Sequence, residues 1–335
     1  MTKKVLALLV LIAGCGTLAS PAEDDGVLPN AKAGPFRPLR ADEIDTSITG
    51  HPAPFLARRE RNRFRSPAPF DIDGDPGTLP IWLYAVEDED DAPRIVRFTA
   101  EDGRSLARDF EVVVERPEEG GVHSPSVVRD GDEVVLYYAT AAGRFVARSR
   151  DGLSFTDVTT VVVGGLACDT SPSDMTSRDF AVAALPSGGF RLFVARGDSI
   201  CEAASEDGIE FHPVGADGTV FRSADLPFAE RMGFGRVSLA HPFATTATTA
   251  EGRLVVRVYF TGQVEGGESF LGLAARYGED GDLVSAVAPV LGGEGAPREA
   301  AVLGFGDFAL LYFTRDAGSF PAIAAGVAPA TVRLP

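Results

Sequence analysis

What most constrains this chain is a unit of about 58 residues that returns five times with the same punctuation. The first unit reads Ser66-Pro67-Ala68-Pro69-Phe70, Ile81-Trp82-Leu83-Tyr84, Arg94 to Phe98, then Asp102-Gly103. The second reads Ser124-Pro125-Ser126-Val127-Val128, Val134 to Tyr138, Arg144 to Ser149, then Asp151-Gly152. The third runs Phe180 to Leu185, Phe190 to Val194, Ile200 to Ser205 and Asp207-Gly208. A fourth starts near Val237 and carries Leu254 to Phe260, Phe270 to Arg276 and Asp280-Gly281. The fifth carries Ala300 to Leu303, Phe308 to Phe313 and Ile323 to Val327. Short apolar runs split by Gly-containing turns are strands, and Asp-Gly predicts hairpins whose two turn residues both have positive φ. Four antiparallel strands repeated five times predict an all-β fold, a five-bladed β-propeller with blades near 60–120, 121–170, 171–222, 223–292 and 293–335. The aromatic residues of the second strands (Trp82, Tyr84, Tyr137, Tyr138, Tyr259, Phe260, Tyr312) belong to the core between blades on this reading.

Composition narrows the function. The 335 residues hold 31 Lys+Arg against 48 Asp+Glu, a net charge of −17. Such a surface is a poor partner for nucleic acid or an anionic membrane. Lysine occurs only at Lys3, Lys4 and Lys32, which removes a P-loop and any Schiff-base enzyme needing a buried amine. Four scattered histidines and no C-x-x-C speak against a zinc site, and neither a metal nor a cofactor is expected. Asp71-Ile72-Asp73-Gly74-Asp75 opens like a calcium loop, but Trp82 stands where the last acidic ligand belongs, so it reads as a turn. Arg196-Gly197-Asp198 falls in a blade loop and is read as a chance match to an adhesion tripeptide.

Residues 1–14 pair Lys3 and Lys4 with the apolar run Val5 to Ala13, too short to span a bilayer, and read as a secretory signal. Ile12-Ala13-Gly14-Cys15 resembles the bacterial lipobox, which makes Cys15 the expected lipidation site, and Gly16 after it resembles outer-membrane sorting. The expected membrane contact is the lipid anchor alone, with residues 15–35 a flexible tether and 36–335 the propeller. Cys168 and Cys201 are then an even pair in an exported chain, expected as a disulfide, with two buried thiols as the alternative.

The second unit, Ser124-Pro-Ser-Val-Val-Arg-Asp-Gly-Asp through Tyr137-Tyr138 to Ser149-Arg-Asp-Gly-Leu-Ser-Phe155, resembles the five-bladed propellers of the arabinanase, levansucrase and invertase type. The resemblance runs from about residue 60 to 330. It implies a sugar site in a central funnel, with a catalytic base in the first blade, an orienting Asp in the third and an acid Glu in the fourth. Hydrolysis needs one protonated and one ionised carboxyl flanking the glycosidic bond. By this resemblance Ser66 stands in place of the first carboxylate and Asp179 matches the orienting one. The fourth strand, read from Phe234-Gly235-Arg236-Val237, has no Glu; Glu230 lies six residues earlier, and Glu299 sits at the right depth in the fifth blade.

The residues opening the inner strands are then Arg65, His123, Arg178, Arg236 and Arg298, with Ser66 and Ser124 beside them. Arginine forks suit carboxylate, sulfate or phosphate. The first expectation is therefore a carbohydrate, of anionic type, bound without catalysis. The alternatives are a divergent glycoside hydrolase using Asp179 and Glu299, and a scaffold for protein partners. The bland alternative for the arginines is ion pairing with neighbouring acids.

Overall fold

The computed structural model describes residues 31–40, 43–44, 55–57, 63–72, 80–89, 92–104, 110–114, 121–168, 179–249, 251–292, 297–305, 307–317, 320–329 and 331. The signal segment, Cys15, most of the tether, the turn at 73–75 and Arg178 lie outside them.

The strands form five antiparallel sheets, one per repeat, and the fold is a five-bladed β-propeller. Blade one is Phe64–Asp71, Ile81–Glu89, Ala92–Ala100 and Glu111–Val114, and blade two is His123–Asp130, Glu133–Thr140, Gly143–Ser149 and Thr156–Thr160. Blade four is Val237–Thr248, Leu254–Val264, Ser269–Tyr277 and Val284–Ser285. In each the first strand is innermost.

Blades three and five depart from four strands. Blade three (Phe180–Ala184, Phe190–Arg196, Ser199–Ser205, Glu210–Pro213) gains Thr219–Arg222 and a parallel pairing from Val162–Val163. Blade five (Arg298–Phe305, Phe308–Ala317, Phe320–Ala328) takes its outer strand from the other end of the chain. Arg37–Pro38 pairs with Val327 and Gly326, and Phe55–Ala57 pairs with the same strand. Packing accordingly begins ahead of residue 36: Ala31 is buried, and Tyr259 donates its hydroxyl to the Lys32 carbonyl at 2.8 Å.

The core lies between blades. Five apolar clusters fill the five junctions, for example Leu83, Phe98, Leu310 and Ile323 between blades one and five. Each such fully buried side chain contributes about 1.5–3 kcal/mol, so every blade draws its stability from both neighbours. The second-strand tyrosines belong to this layer, and three of their hydroxyls reach the next blade. Tyr84 donates to Gly152 O at 2.7 Å, Tyr137 to Gly208 O at 3.1 Å and Tyr312 to Gly103 O at 2.6 Å.

The Asp-Gly pairs are turns of a different kind from the hairpins expected. Only the glycine has positive φ, 64° at Gly152 and 76° at Gly208. The aspartate instead accepts the next backbone N–H groups: Asp151 from Leu153 and Ser154, Asp207 from Ile209 and Glu210. These links join third to fourth strands and are longer than two residues, so the side chain caps the turn itself.

Candidate functional site

Four of the five inner strands carry the same irregularity, near the first residue in blades one, two and five and four residues in for blade four. The ladder slips between Arg65 and Ala68, His123 and Ser126, Ala240 and Phe243, and Arg298 and Ala301. At each slip one side-chain-bearing residue is left-handed: Ser66 (φ 52°), Ser124 (49°), His241 (47°) and Glu299 (53°). A bulge re-aims its side chain, and all four line one central cavity together with Phe180 and Ala181 of blade three. Asp179, just before the regular inner strand of blade three, completes the ring by meeting His241.

This register changes one assignment. The blade-four member is Ala240-His241, and Arg236 lies outside the ring beside a different cleft. The inner strand of blade four is 12 residues long and begins at Val237, four residues ahead of the position that faces the cavity. A signal in the sequence marks it: His241-Pro242 matches Ser66-Pro67 and Ser124-Pro125. Sequence reasoning missed His241, and with it Asp88 and Thr314.

The ring is a connected ion cluster. His241 Nδ1 lies 3.1 Å from Asp179 Oδ1 and 4.0 Å from Glu299 Oε1. Arg65 grips Asp88 through Nε at 2.7 Å and Nη2 at 3.3 Å. Its Nη2 also meets His123 Nδ1 at 3.0 Å, and Nη1 lies 3.9 Å from Glu299. Glu299 Oε2 accepts the Ser66 N–H at 2.9 Å and the Thr314 hydroxyl at 2.5 Å. Arg298 is half-exposed and donates to Asp316 at 2.6 Å. Asp179 and Glu299, 120 residues apart, are thus brought together around one imidazole. Arg65 and Arg298 are both engaged by carboxylates, the bland alternative for these two arginines.

Electrostatics fix the protonation states. Burial alone would push the Glu299 carboxyl up, but His241, Arg65, the Thr314 hydroxyl and the Ser66 N–H together hold it down at about 2. Burial disfavours the imidazolium of His241, yet its bond to Asp179 and the charge of Glu299 outweigh this and raise its pKa. Glu299 is therefore an ionised acceptor across the physiological range. The cavity is also small. Its volume of about 30 Å³ has room for about two waters.

Blade three adds a covalent tie. Cys168 and Cys201 are disulfide-bonded, with Cα atoms 5.8 Å apart, and both are buried in the junction with blade two. In sequence, Asp179 lies between the two bonded cysteines. Among the described residues no group of three or more His, Cys, Asp or Glu side chains is placed to hold a metal ion.

The same architecture occurs in solved structures. A candidate glycoside hydrolase from Bacteroides ovatus is 16% identical, with 87% of this chain and 96% of that chain covered and a TM-score of 0.62. A structure from family 130, which comprises mannoside phosphorylases and glycoside hydrolases that target β-1,2 mannosidic linkages in Candida mannan, is 16% identical, covers 90% and 96%, and gives 0.60. A family 117 glycoside hydrolase of Zobellia galactanivorans is 14% identical, covers 90% and 92%, and gives 0.54. The fold is that of the glycoside hydrolase propellers. No protein-family model and no curated protein matches the chain.

Proposed function

We propose that this protein binds a carbohydrate on the funnel face of its propeller and does not cleave it with an acid–base carboxyl pair. The fold it shares with glycoside hydrolases supports the ligand class. One feature supports the loss of catalysis: the carboxylate beside Asp179 is Glu299, whose oxygens are taken up by the Ser66 N–H, the Thr314 hydroxyl, Arg65 and His241, so it is not free to serve as the acid that hydrolysis needs beside an ionised partner. The charges around the ring nearly cancel, since Arg65, His241 and Arg298 face Asp88, Asp179, Glu299 and Asp316. A neutral glycan therefore suits the ring better. The anionic glycan expected from the arginines is a second reading, favoured by one observation: Arg298 is half-exposed beside the ring. The lipobox-like Cys15 supports attachment of this binding domain to a membrane by a lipid anchor.

The test pairs calorimetric binding with reducing-sugar release by the purified domain, over neutral and acidic oligosaccharides, with Asp179→Ala and Glu299→Ala alongside. Binding without release is expected, and weakening of acidic ligands alone by Arg298→Ala would establish the anionic reading. Release abolished by both carboxylate substitutions would overturn the proposal in favour of a hydrolase. A folded protein that binds no glycan would point to a protein scaffold.

A further inference from the structure

The inner strand of blade four overhangs the ring. From Val237 to His241 it runs four residues, about 13 Å at the strand rise, and Leu239 N–H donates to Gly197 O of the blade-three hairpin at 2.6 Å. Ahead of it, residues 223–236 leave blade three and turn back through a short 3₁₀ segment, Ser223–Asp225. This overhang and this loop enclose a second cleft on the funnel face, with a volume of about 500 Å³ against about 30 Å³ at the ring. Small-molecule sites fall at about 300–1,000 Å³, so the cleft is of ligand size and the ring cavity is not.

Its lining has the two-sided chemistry of a sugar, which presents C–H faces and hydroxyl edges. Leu226, Pro227 and Phe234 give apolar surface. The Phe234 ring is fixed by stacking on Phe270, with centroids 5.4 Å apart and planes 12° from parallel. Asp198, Glu230 and Arg236 supply acceptors and donors around it. Asp198 is partly engaged, taking the Ser199 hydroxyl at 2.8 Å on Oδ1. Glu230 and Arg236 are exposed and have no side-chain partner among the described residues. Exposed polar groups set around an immobilised aromatic ring suit hydroxyl recognition.

We infer that the cleft between blades three and four is a second saccharide subsite, which holds sugar units of an oligosaccharide whose other end lies over the Asp179–His241–Glu299 ring. The inference rests on the carbohydrate reading above and adds a direction: the glycan runs from the funnel toward blade four. Glu230, which lies six residues ahead of the strand expected to face the funnel, and Arg236, expected at the funnel mouth, act here instead.

The experiment is isothermal titration of the intact domain with neutral oligosaccharides of one to six units, for the native protein and for Phe234→Ala, Glu230→Gln and Arg236→Ala. Affinity of the native protein is expected to rise at least tenfold between the monosaccharide and the longer ligands. Each cleft variant should lose most of that rise while its monosaccharide affinity stays within about twofold. Glu230 and Arg236 are exposed, so their variants fold even where Phe234→Ala does not, and melting curves report this directly. Cleft variants that keep the full length dependence overturn the subsite and leave the funnel reading intact. A native protein that binds no oligosaccharide of any length overturns both.

Discussion

Blade three and the other four blades solve one geometric problem in two ways. In blades one, two, four and five the side chain facing the channel comes from a bulge, at a residue held near φ 50° (Ser66, Ser124, His241, Glu299). In blade three the inner strand pairs without a slip from Phe180 to Ala184, and the ring is completed by Asp179 just ahead of it. A left-handed residue with a Cβ costs about 1–2 kcal/mol, and blades one and five offset it through specific partners. The Ser66 N–H reaches Thr314 at 3.0 Å, and the Glu299 N–H reaches Thr261 at 3.1 Å, each on the preceding blade. Blade three avoids the strain, and a disulfide joins Cys168 to its third strand at Cys201. Ser66 and Glu299 are thus tied to neighbouring blades by hydrogen bonds, whereas blade three carries a covalent tie, in its junction with blade two.

The largest effect that would break this contrast lies at Glu299. Glu299→Ala strips Arg65 and His241 of a shared partner and should lower unfolding free energy by about 3–5 kcal/mol in a denaturant titration. Asp179→Ala, which loses one partner at a site 20% exposed, should cost roughly 1.5 kcal/mol. Equal losses would mean that the two positions are held alike.

The same pair has a pH signature. The Glu299 carboxyl sits at about 2, below its ordinary 4.5. Its contribution is complete above pH 4.5 and is lost as the pH falls toward 2, so Glu299→Gln should flatten that acid limb. His241 is raised above 6.5. Its contribution is complete below 6.5 and is lost as the pH rises through its folded value, and His241→Gln should remove this alkaline decline.

Next in size is the disulfide. Cys168 and Cys201 are 33 positions apart, so reduction, or the Cys168→Ala/Cys201→Ala pair, should cost about 3–4 kcal/mol in the chain-entropy account. If amide exchange in Phe180–Ala184 does not quicken on reduction, the bond does not brace blade three.

Smaller again is the bond between blades two and three. The Ser126 hydroxyl donates to Val182 O at 3.1 Å and accepts the Val182 N–H at 2.9 Å, both buried. Ser126→Ala orphans both backbone groups, with an expected loss of about 1–3 kcal/mol. The smallest effect carries the opposite sign. Ser124→Gly relieves a left-handed Cβ and should stabilise by roughly 0.5–1 kcal/mol after the entropy of glycine is counted. A destabilised Ser124→Gly would show that the bulge is not strained.

The architecture was legible because short apolar runs and Asp-Gly turns recur at nearly constant spacing, and repeats leave little choice of topology. The Cys168–Cys201 pairing followed from parity. Blade four was misaligned for a physical reason: its inner strand extends past the ring, so Gly235-Arg236-Val237 imitates the start of a shorter strand. Proline after the left-handed residue was the better marker, because a bulge leaves an N–H unpaired and proline has none. The pairing of Asp179 with Glu299 through His241 could not be read, since it joins three blades across the channel. The outer strand of blade five was hidden for a related reason, because Arg37–Pro38 is too short to show a pattern and its partner lies at the other end of the repeat array.

That clasp gives the ring a mechanical grain. Arg37 faces Val327 and Pro38 faces Gly326, so the chain enters and leaves the sheet from the same end of the ladder. Tension between these two segments loads the pairs one at a time, as a zipper is drawn, and not all at once in shear. A pull along the chain would therefore open blade five at its rim under low force, while the bulged strands around the channel, tied sideways to their neighbours, keep their register.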